Sequence, residues 1–385
     1  MAEAYIVTAL RTAGGRRGGR LANVAPVDLA ADVINAILAR TGIDGARVDD
    51  VILGCVTQVN EQAINIGRNA VLASNLPRSV PGTTIDRQCG SSQQAIHFAS
   101  QAVISGTADV IIAGGVESMT RVPMFSSLPN THYQVGRLRE RYPQDFSQFV
   151  GAEMMARKYG LPKLELDQYA LQSHLRAAAA IDAGAFDDEI VPVAIRDTEG
   201  QLTGEMHTVD EGVRRGATLE GIQGVKLLNP DGVISAANAS QITDGASGCL
   251  VVSERGLKDL GLTPVARIHH MSVLADDPVI MLEAPIPATR RALEKAGMRM
   301  ADIDLFEVNE AFASVPLAWA RELDDDPARL NVNGGAIALG HPLGASGARL
   351  MATLVNALGR RGKRYGLQTM CEGGGMANVT IVERL

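Results

Sequence analysis

Cysteine is scarce. The 385 residues hold only Cys55, Cys89, Cys249 and Cys371, and no two of them form a CxxC pair or a secreted disulfide framework. A disulfide-held scaffold is thereby excluded, and reduced thiols in a cytosolic setting are the expectation. Positive charge is not in excess either. The formal net charge is −7, which gives no general reason to expect nucleic acid as a partner, so contact with an anionic ligand must come from local basic residues. No apolar run approaches the length of a membrane span. The stretch from Arg11 to Arg20 lacks acidic residues and faintly resembles a transit peptide. The apolar sequence that flanks it reads as folded protein, so cytoplasm is expected.

What is present is a normal globular balance, 46% hydrophobic and 21% charged, in a chain long enough for two or three domains. Short apolar runs alternate with helical patterns, which predicts an α/β fold. Val51–Val56 and Val110–Gly115 read as buried strands, with a helical pattern over Gln93–Ser105 between them. Toward the C-terminus, Asp304–Val308 reads as a strand, Ala311–Leu323 and Gly347–Gly359 as helices, and Tyr365–Met370 as a strand. The two ends echo each other: a reactive residue in a small-residue loop precedes a helix, and a strand then runs into a Gly-Gly pair. The middle carries charge clusters, Pro and Met at irregular spacing, the mark of an inserted loop domain. The expected division is 1–116 as a first core half completed by about 243–264, 117–242 as the insertion, and 265–385 as a second core half.

Four residues carry chemistry. Cys89 sits in Arg87-Gln88-Cys89-Gly90-Ser91-Ser92, before a helical pattern, where the helix dipole and free N–H groups favour thiolate. The competing reading is a small buried hydrophobe, which is adopted for Cys55 and Cys249. His341 lies in Gly340-His341-Pro342, with Gly344 and Gly347 just beyond, stripped of neighbouring side chains. It reads as a base for a thiol and a donor to an oxyanion, or else as a turn histidine. Cys371 precedes Gly373, Gly374 and Gly375, and reads as a second thiol beside N–H groups free to converge on an anion. Asn309, in Asn309-Glu310-Ala311-Phe312, either holds a water or carbonyl or caps the next helix. Two thiols, a histidine and an asparagine among small residues suggest acyl transfer.

In combination and in this order, these segments resemble the thiolase family from Arg11-Thr12 to the C-terminus. The resemblance implies a duplicated βαβαβαββ core with an inserted loop domain that binds coenzyme A. It implies that Cys89 is acylated, that His341 activates it and lines an oxyanion hole, and that Asn309 holds the water completing that hole. Cys371 is then the general acid/base, and the N–H of Gly373 pairs with that of Cys89 in a second hole. Ser240 matches a serine near the pantetheine, and Arg214 an arginine near the nucleotide end. Coenzyme A is a substrate, with no metal or redox cofactor required, and a homotetramer or homodimer is expected, with a multienzyme beta-oxidation partner a further option.

Two departures matter. Glu372 stands where many relatives carry an apolar or small residue. Facing Cys371 it raises that thiol's pKa; facing away it does little. The His-Met pair of short-chain biosynthetic members is missing, since the comparable region reads Gly151-Ala152-Glu153-Met154-Met155. That points to a degradative 3-ketoacyl-CoA thiolase, with Met124, Phe125, Met154 and Met155 as candidate acyl-pocket residues. The alternatives are a short-chain acetyl-CoA acetyltransferase and a non-catalytic lipid carrier on the same scaffold. A malonyl-using condensing enzyme typically replaces the second cysteine with histidine, so Cys371 argues against one.

Overall fold

The computed structural model describes residues 2–128 and 131–385. Its strands, in chain order, are β1 (Ala4–Thr12), β2 (Gly15–Arg16), β3 (Asp50–Gly54), β4 (Gly82–Ile85), β5 (Val110–Ser118), β6 (Ile190–Val191), β7 (Val193–Arg196), β8 (Leu202–His207), β9 (Thr243–Ser253), β10 (Ala266–Ala275), β11 (Leu305–Val308), β12 (Tyr365–Glu372) and β13 (Met376–Arg384). All but β7 and β8 belong to one sheet, with path β11-β12-β13-β10-β1-β9-β5-β3-β4. From each end the path reads alike. The parallel pair β3–β5 is followed by antiparallel β9 and β1, and the parallel pair β11–β12 by antiparallel β13 and β10. The halves join where β1 meets β10, pairing Tyr5 with Arg267 and Ile6 with Ala266. β5, β9 and most of β12 are buried along their whole length. They are covered on both faces, which explains why they read as continuous apolar or small-residue runs rather than as alternating patterns.

Two helices occupy equivalent places in the halves and pack against each other: Ser91–Ser105 before β5, and Ser346–Arg360 before β12. Ala348 donates its backbone N–H to Ser92 Oγ at 2.9 Å. A Cβ at Gly347 would collide with the backbone nitrogen of Gln93, so the helix starts approach this closely only because position 347 lacks a side chain. The loops preceding the two helices are thereby brought to one place. Those loops carry Cys89 and His341.

The segment between β5 and β9 holds helices Gln148–Lys158 and Lys163–Asp182 and the β7–β8 hairpin. It is anchored by buried polar contacts. Arg11 on β1 makes a two-pronged contact with Asp210, at 2.7 and 3.1 Å, and donates to Glu189 at 2.6 Å. All three side chains are buried. Glu310 accepts from Tyr169 and Ser173 of the long helix at 3.0 and 2.7 Å, and from the backbone N–H of Ile337 at 3.1 Å. Removing one partner of such a buried pair leaves an uncompensated charge, a loss of about 3–5 kcal/mol. The segment between β5 and β9 is therefore held firmly against the sheet and helices that bear the thiols.

The expected helix over Ala311–Leu323 begins only at Ser314. Asn309 to Ala313 instead form an irregular link bonded to the segment before β9: Ser240 donates its N–H to Ala311 O at 2.9 Å, and Ala313 donates to Asn238 O at 2.8 Å. Asn309 is thus not the cap of that helix.

Candidate active site

Cys89 sits on a tight, strained turn. Gln88 before it has φ of 49°, in the left-handed region that non-glycine residues rarely occupy. The turn is pinned by Gln88 N–H to Asp86 Oδ1 at 2.6 Å, Ser91 Oγ to Gln88 O at 2.6 Å, and Arg87 N–H to Ser91 Oγ at 2.9 Å. Cys89 itself is half-buried and lines a cavity of about 670 Å³ together with Cys371, Glu372 and Gly373. Met124, Phe125, Leu128, Phe146, Met281 and Leu282 form apolar wall. A second cavity of about 440 Å³ holds His341, Ser240, Arg214, Arg16 and Arg17. Both are bounded by Met124, Gln148, Phe149, Ala311 and Leu343, so they adjoin. One is apolar and ends at the two thiols; the other is basic at its rim and ends at the histidine.

His341 is held from several sides. Its backbone N–H donates to Gln241 O and Thr243 Oγ1, each at 3.1 Å. Gly340 has φ of 90°, and a Cβ there would collide with Thr243, which accounts for the glycine before the histidine. Nδ1 lies 2.5 Å from Ser346 Oγ, and that hydroxyl donates its single proton to Pro342 O at 2.9 Å. The hydroxyl therefore accepts from Nδ1–H, and Nε2 carries the lone pair. Asn309 Nδ2 lies 3.4 Å from Nε2, and Asn309 Oδ1 has no partner among the described residues. Burial, reinforced by the Arg349 guanidinium, lowers the imidazole pKa to about 3. His341 is thus a neutral base with Nε2 available.

The sign of that shift gives a stability prediction. Between pH 6.5 and about 3 the unfolded chain takes up a proton that folded His341 refuses. Stability is complete above this window and falls as pH drops through it. His97, also lowered to about 3 by burial, adds to the same loss. Urea unfolding of His341→Asn at neutral and acid pH should show a smaller acid loss than the parent, by on the order of a few kcal/mol; equal losses would contradict the buried neutral state.

Both thiols are pushed up, not down. Burial, followed by the charge of Glu372, raises Cys89 to about 12. From 9.0 that is about 4 kcal/mol against thiolate, more than the ~1 kcal/mol a helix start supplies in its favour. The helix start favours thiolate, as expected, but does not by itself outweigh burial. Burial, with Cys89 next, raises Cys371 well above the thiol range. The resting site is a neutral thiol and a neutral imidazole, and ionisation needs the substrate's help.

Glu117, at the end of β5, escaped the sequence reading. Its carboxylate accepts from the N–H groups of Val56, Thr57 and Gly344 at 2.9, 3.0 and 2.9 Å, and from Gln62 at 2.8 Å, tying the loop after His341 to the first core half. The only signal was its place just after Gly114-Gly115. Glu310 follows Asn309 in its segment and Ser346 lies between Gly344 and Gly347, neither marked by the sequence as a supporting residue. Met155 is fully buried in the apolar core rather than at either cavity. Met124 and Phe125 do line the larger one. Cys55 and Cys249 are buried, and Glu372 packs on Gly90 beside the nucleophile.

Two thiols on an apolar cavity, and on the adjoining basic one a lone-pair histidine backed by an asparagine, fit an acyl-transfer enzyme working through thiol chemistry. Residues 4–255 match the thiolase N-terminal domain and residues 262–384 the thiolase C-terminal domain. The chain belongs to the thiolase family. It is 54% identical, over its full length and 95% of the other chain, to a steroid 3-ketoacyl-CoA thiolase of Mycobacterium tuberculosis. It is 42% identical, over the whole of both chains, to a 3-ketoacyl-CoA thiolase of Salmonella typhimurium. The crystal structure of an acetyl-CoA acetyltransferase of Bacillus anthracis superposes with a TM-score of 0.92 at 38% identity, covering 100% of this chain and 99% of that one.

Proposed function

We propose that the enzyme cleaves a 3-ketoacyl-CoA with CoA, giving acetyl-CoA and a shortened acyl-CoA through an acyl thioester on Cys89. The observation that carries this reading is that the cavity lined by both thiols adjoins the one lined by the histidine, the two sharing Met124, Gln148, Phe149, Ala311 and Leu343. Cys89 gives its proton to His341 Nε2 as its sulfur attacks the 3-keto carbon. The new imidazolium N–H and a water held by Asn309 receive the oxyanion. As that adduct collapses, the bond between C2 and C3 breaks, and its electron pair leaves as the enolate of acetyl-CoA. The N–H groups of Cys89 and Gly373 hold the enolate oxygen while Cys371 protonates its carbon. Incoming CoA then gives its thiol proton to the Cys371 thiolate and attacks the thioester. Cys89 leaves and recovers its proton from His341. All steps are proton transfers and acyl displacements, so CoA serves as substrate and the reaction calls for no redox or metal cofactor. The result is ping-pong kinetics.

Ser240 and Arg214, with Arg16 and Arg17, line the basic cavity and suit pantetheine and phosphates respectively. The inserted segment 117–242 thus supplies most of the CoA cradle. Strand β4 ends the sheet with an unpaired edge, and Ile64 and Leu72 nearby are 87% and 57% exposed. An open edge beside apolar surface supports a homodimer or homotetramer. Free thiols fit the cytoplasm, where a multienzyme beta-oxidation partner could supply the substrate.

The acyl group is bulkier than acetoacetyl. The large cavity has a wall of Met, Phe and Leu, and the His-Met pair of short-chain enzymes is missing. The steroid thiolase at 54% identity favours a branched or alicyclic acyl group over a plain fatty chain. At about 0.8 kcal/mol per buried methylene, two added methylenes should raise kcat/KM over acetoacetyl-CoA by roughly tenfold. A chain-length series including one alicyclic 3-ketoacyl-CoA measures this. Acetoacetyl-CoA as the best substrate would place the enzyme with the acetyl-CoA acetyltransferases instead.

A further inference from the structure

Glu372 is a buried acid that no step above employs. It ends β12, next to Cys371, yet its side chain packs on the other thiol's loop. A Cβ at Gly90 would collide with Glu372 Oε1, so the carboxyl lies directly against the residue that follows Cys89. It lines the same cavity as Cys89 and is fully buried. Neither oxygen has a hydrogen-bond partner among the described residues. Against burial, the Arg87 guanidinium and, after it, the Asn378 backbone N–H favour the ionised form. Burial outweighs both and holds the carboxyl well above the ordinary range. A carboxyl in that position resists ionisation, and its charge, once formed, bears on the nucleophile.

We propose that Glu372 and Cys89 form a linked pair that carries one negative charge at a time, making Glu372 a positioning residue that sets the pH range over which the nucleophile can ionise. Two anions this close in a buried cavity cannot both form cheaply, as in carboxylate dyads. While Glu372 is protonated, Cys89 can transfer its proton to His341 and attack. Once Glu372 ionises, the thiolate would be a second charge and is suppressed. The other groups facing the pair do not take over this role. Asp86 and Arg87 flank Cys89 on its own loop, and Asp86 is held in place by the Gln88 N–H. Glu117 approaches from β5 with its carboxylate already satisfied by four donors. Cys371, beside Glu372 on β12, is raised by burial and then by Cys89, with the charge of Glu372 a later contribution, whereas for Cys89 that charge comes next after burial. Glu372 thus acts on Cys371 in the expected direction and acts on the nucleophile as well.

The proposal rests on Cys89 being the nucleophile, and the test separates the two. The full-length enzyme is alkylated with iodoacetamide from mildly acidic to alkaline pH, and each cysteine peptide is quantified by mass spectrometry. Glu372→Gln should move the midpoint for Cys89 alkylation down by about one pH unit or more, an approximately tenfold faster reaction at mildly alkaline pH. The rates of variant and parent should converge at acid pH, where Glu372 is protonated. The alkaline fall of kcat/KM should likewise move to higher pH in the variant. Asp86→Asn should shift the midpoint less. Glu372→Ile, an apolar side chain suited to a strand, gives the same reading should the glutamine variant not fold. Superimposable Cys89 profiles for parent, Gln and Ile forms would overturn the linked pair while leaving the nucleophile assignment standing. Preferential labelling of Cys371 would overturn both.

Discussion

Replacement of Cys89 with alanine is expected to reduce thiolysis by roughly four orders of magnitude or more, because no other group in the cavity can carry the acyl chain. Cys371 is the alternative thiol there, and it is almost fully buried and raised well above the thiol range. The fold should survive the change. Cys89 is half-buried, and the turn that bears it is held by Asp86, Arg87, Gln88 and Ser91 rather than by the thiol. Unfolding free energy should stay within about 1 kcal/mol of the parent, and CoA should bind with little change, since Arg214 and Ser240 lie in the neighbouring cavity. Steady-state thiolysis, a urea titration and CoA titration together check the prediction. Retention of appreciable turnover would show that the acyl group travels by another route.

His341 and Cys371 should fail differently. His341→Ala removes both the base that takes the thiol proton and the donor that receives the oxyanion. Acylation of Cys89 should slow by on the order of a hundredfold or more. Cys371→Ala leaves both functions in place, so Cys89 should still be acylated by acetyl-CoA, but protonation of the enolate and deprotonation of CoA are lost. Turnover should fall by at least about a hundredfold while a single acylation persists. Rapid-quench measurement of one acylation beside steady-state rates separates the two variants. Equal losses in both assays for both variants would contradict the division of labour. Since folded His341 becomes protonated only near pH 3, its titration should leave no acid limb near neutrality.

The reactive residues were legible because each sits where side chains have been cleared away. Glycine at 340 and 347 is required by close contacts with Thr243 and Gln93, and such requirements leave a mark in sequence. The strands of the two halves were legible as well, as buried apolar runs, though the β5 strand extends past its Gly-Gly pair to Glu117 and Ser118. The supporting acids were not. Glu117 and Glu310 act through backbone N–H groups and hydroxyls that are distant in sequence, and an isolated glutamate carries no trace of such partners. The direction of Glu372 was equally hidden, because it depends on its approach to Gly90, 282 residues earlier in the chain (372 − 90). Met155 misled for the opposite reason: a methionine in a helix reads the same whether it faces a ligand or a core, and this one faces the core.

The central claim is that the acyl group is carried on Cys89, with Cys371 moving protons. Its most direct test is incubation of the enzyme with acetyl-CoA, rapid acid quench and peptide-resolved mass spectrometry, performed on the parent and on Cys371→Ala. A single acetyl group on the peptide containing Cys89 in both proteins is the predicted result, persisting in the variant after CoA is added. An acetyl group on the Cys371 peptide of the parent, with Cys89 unmodified, would contradict the account.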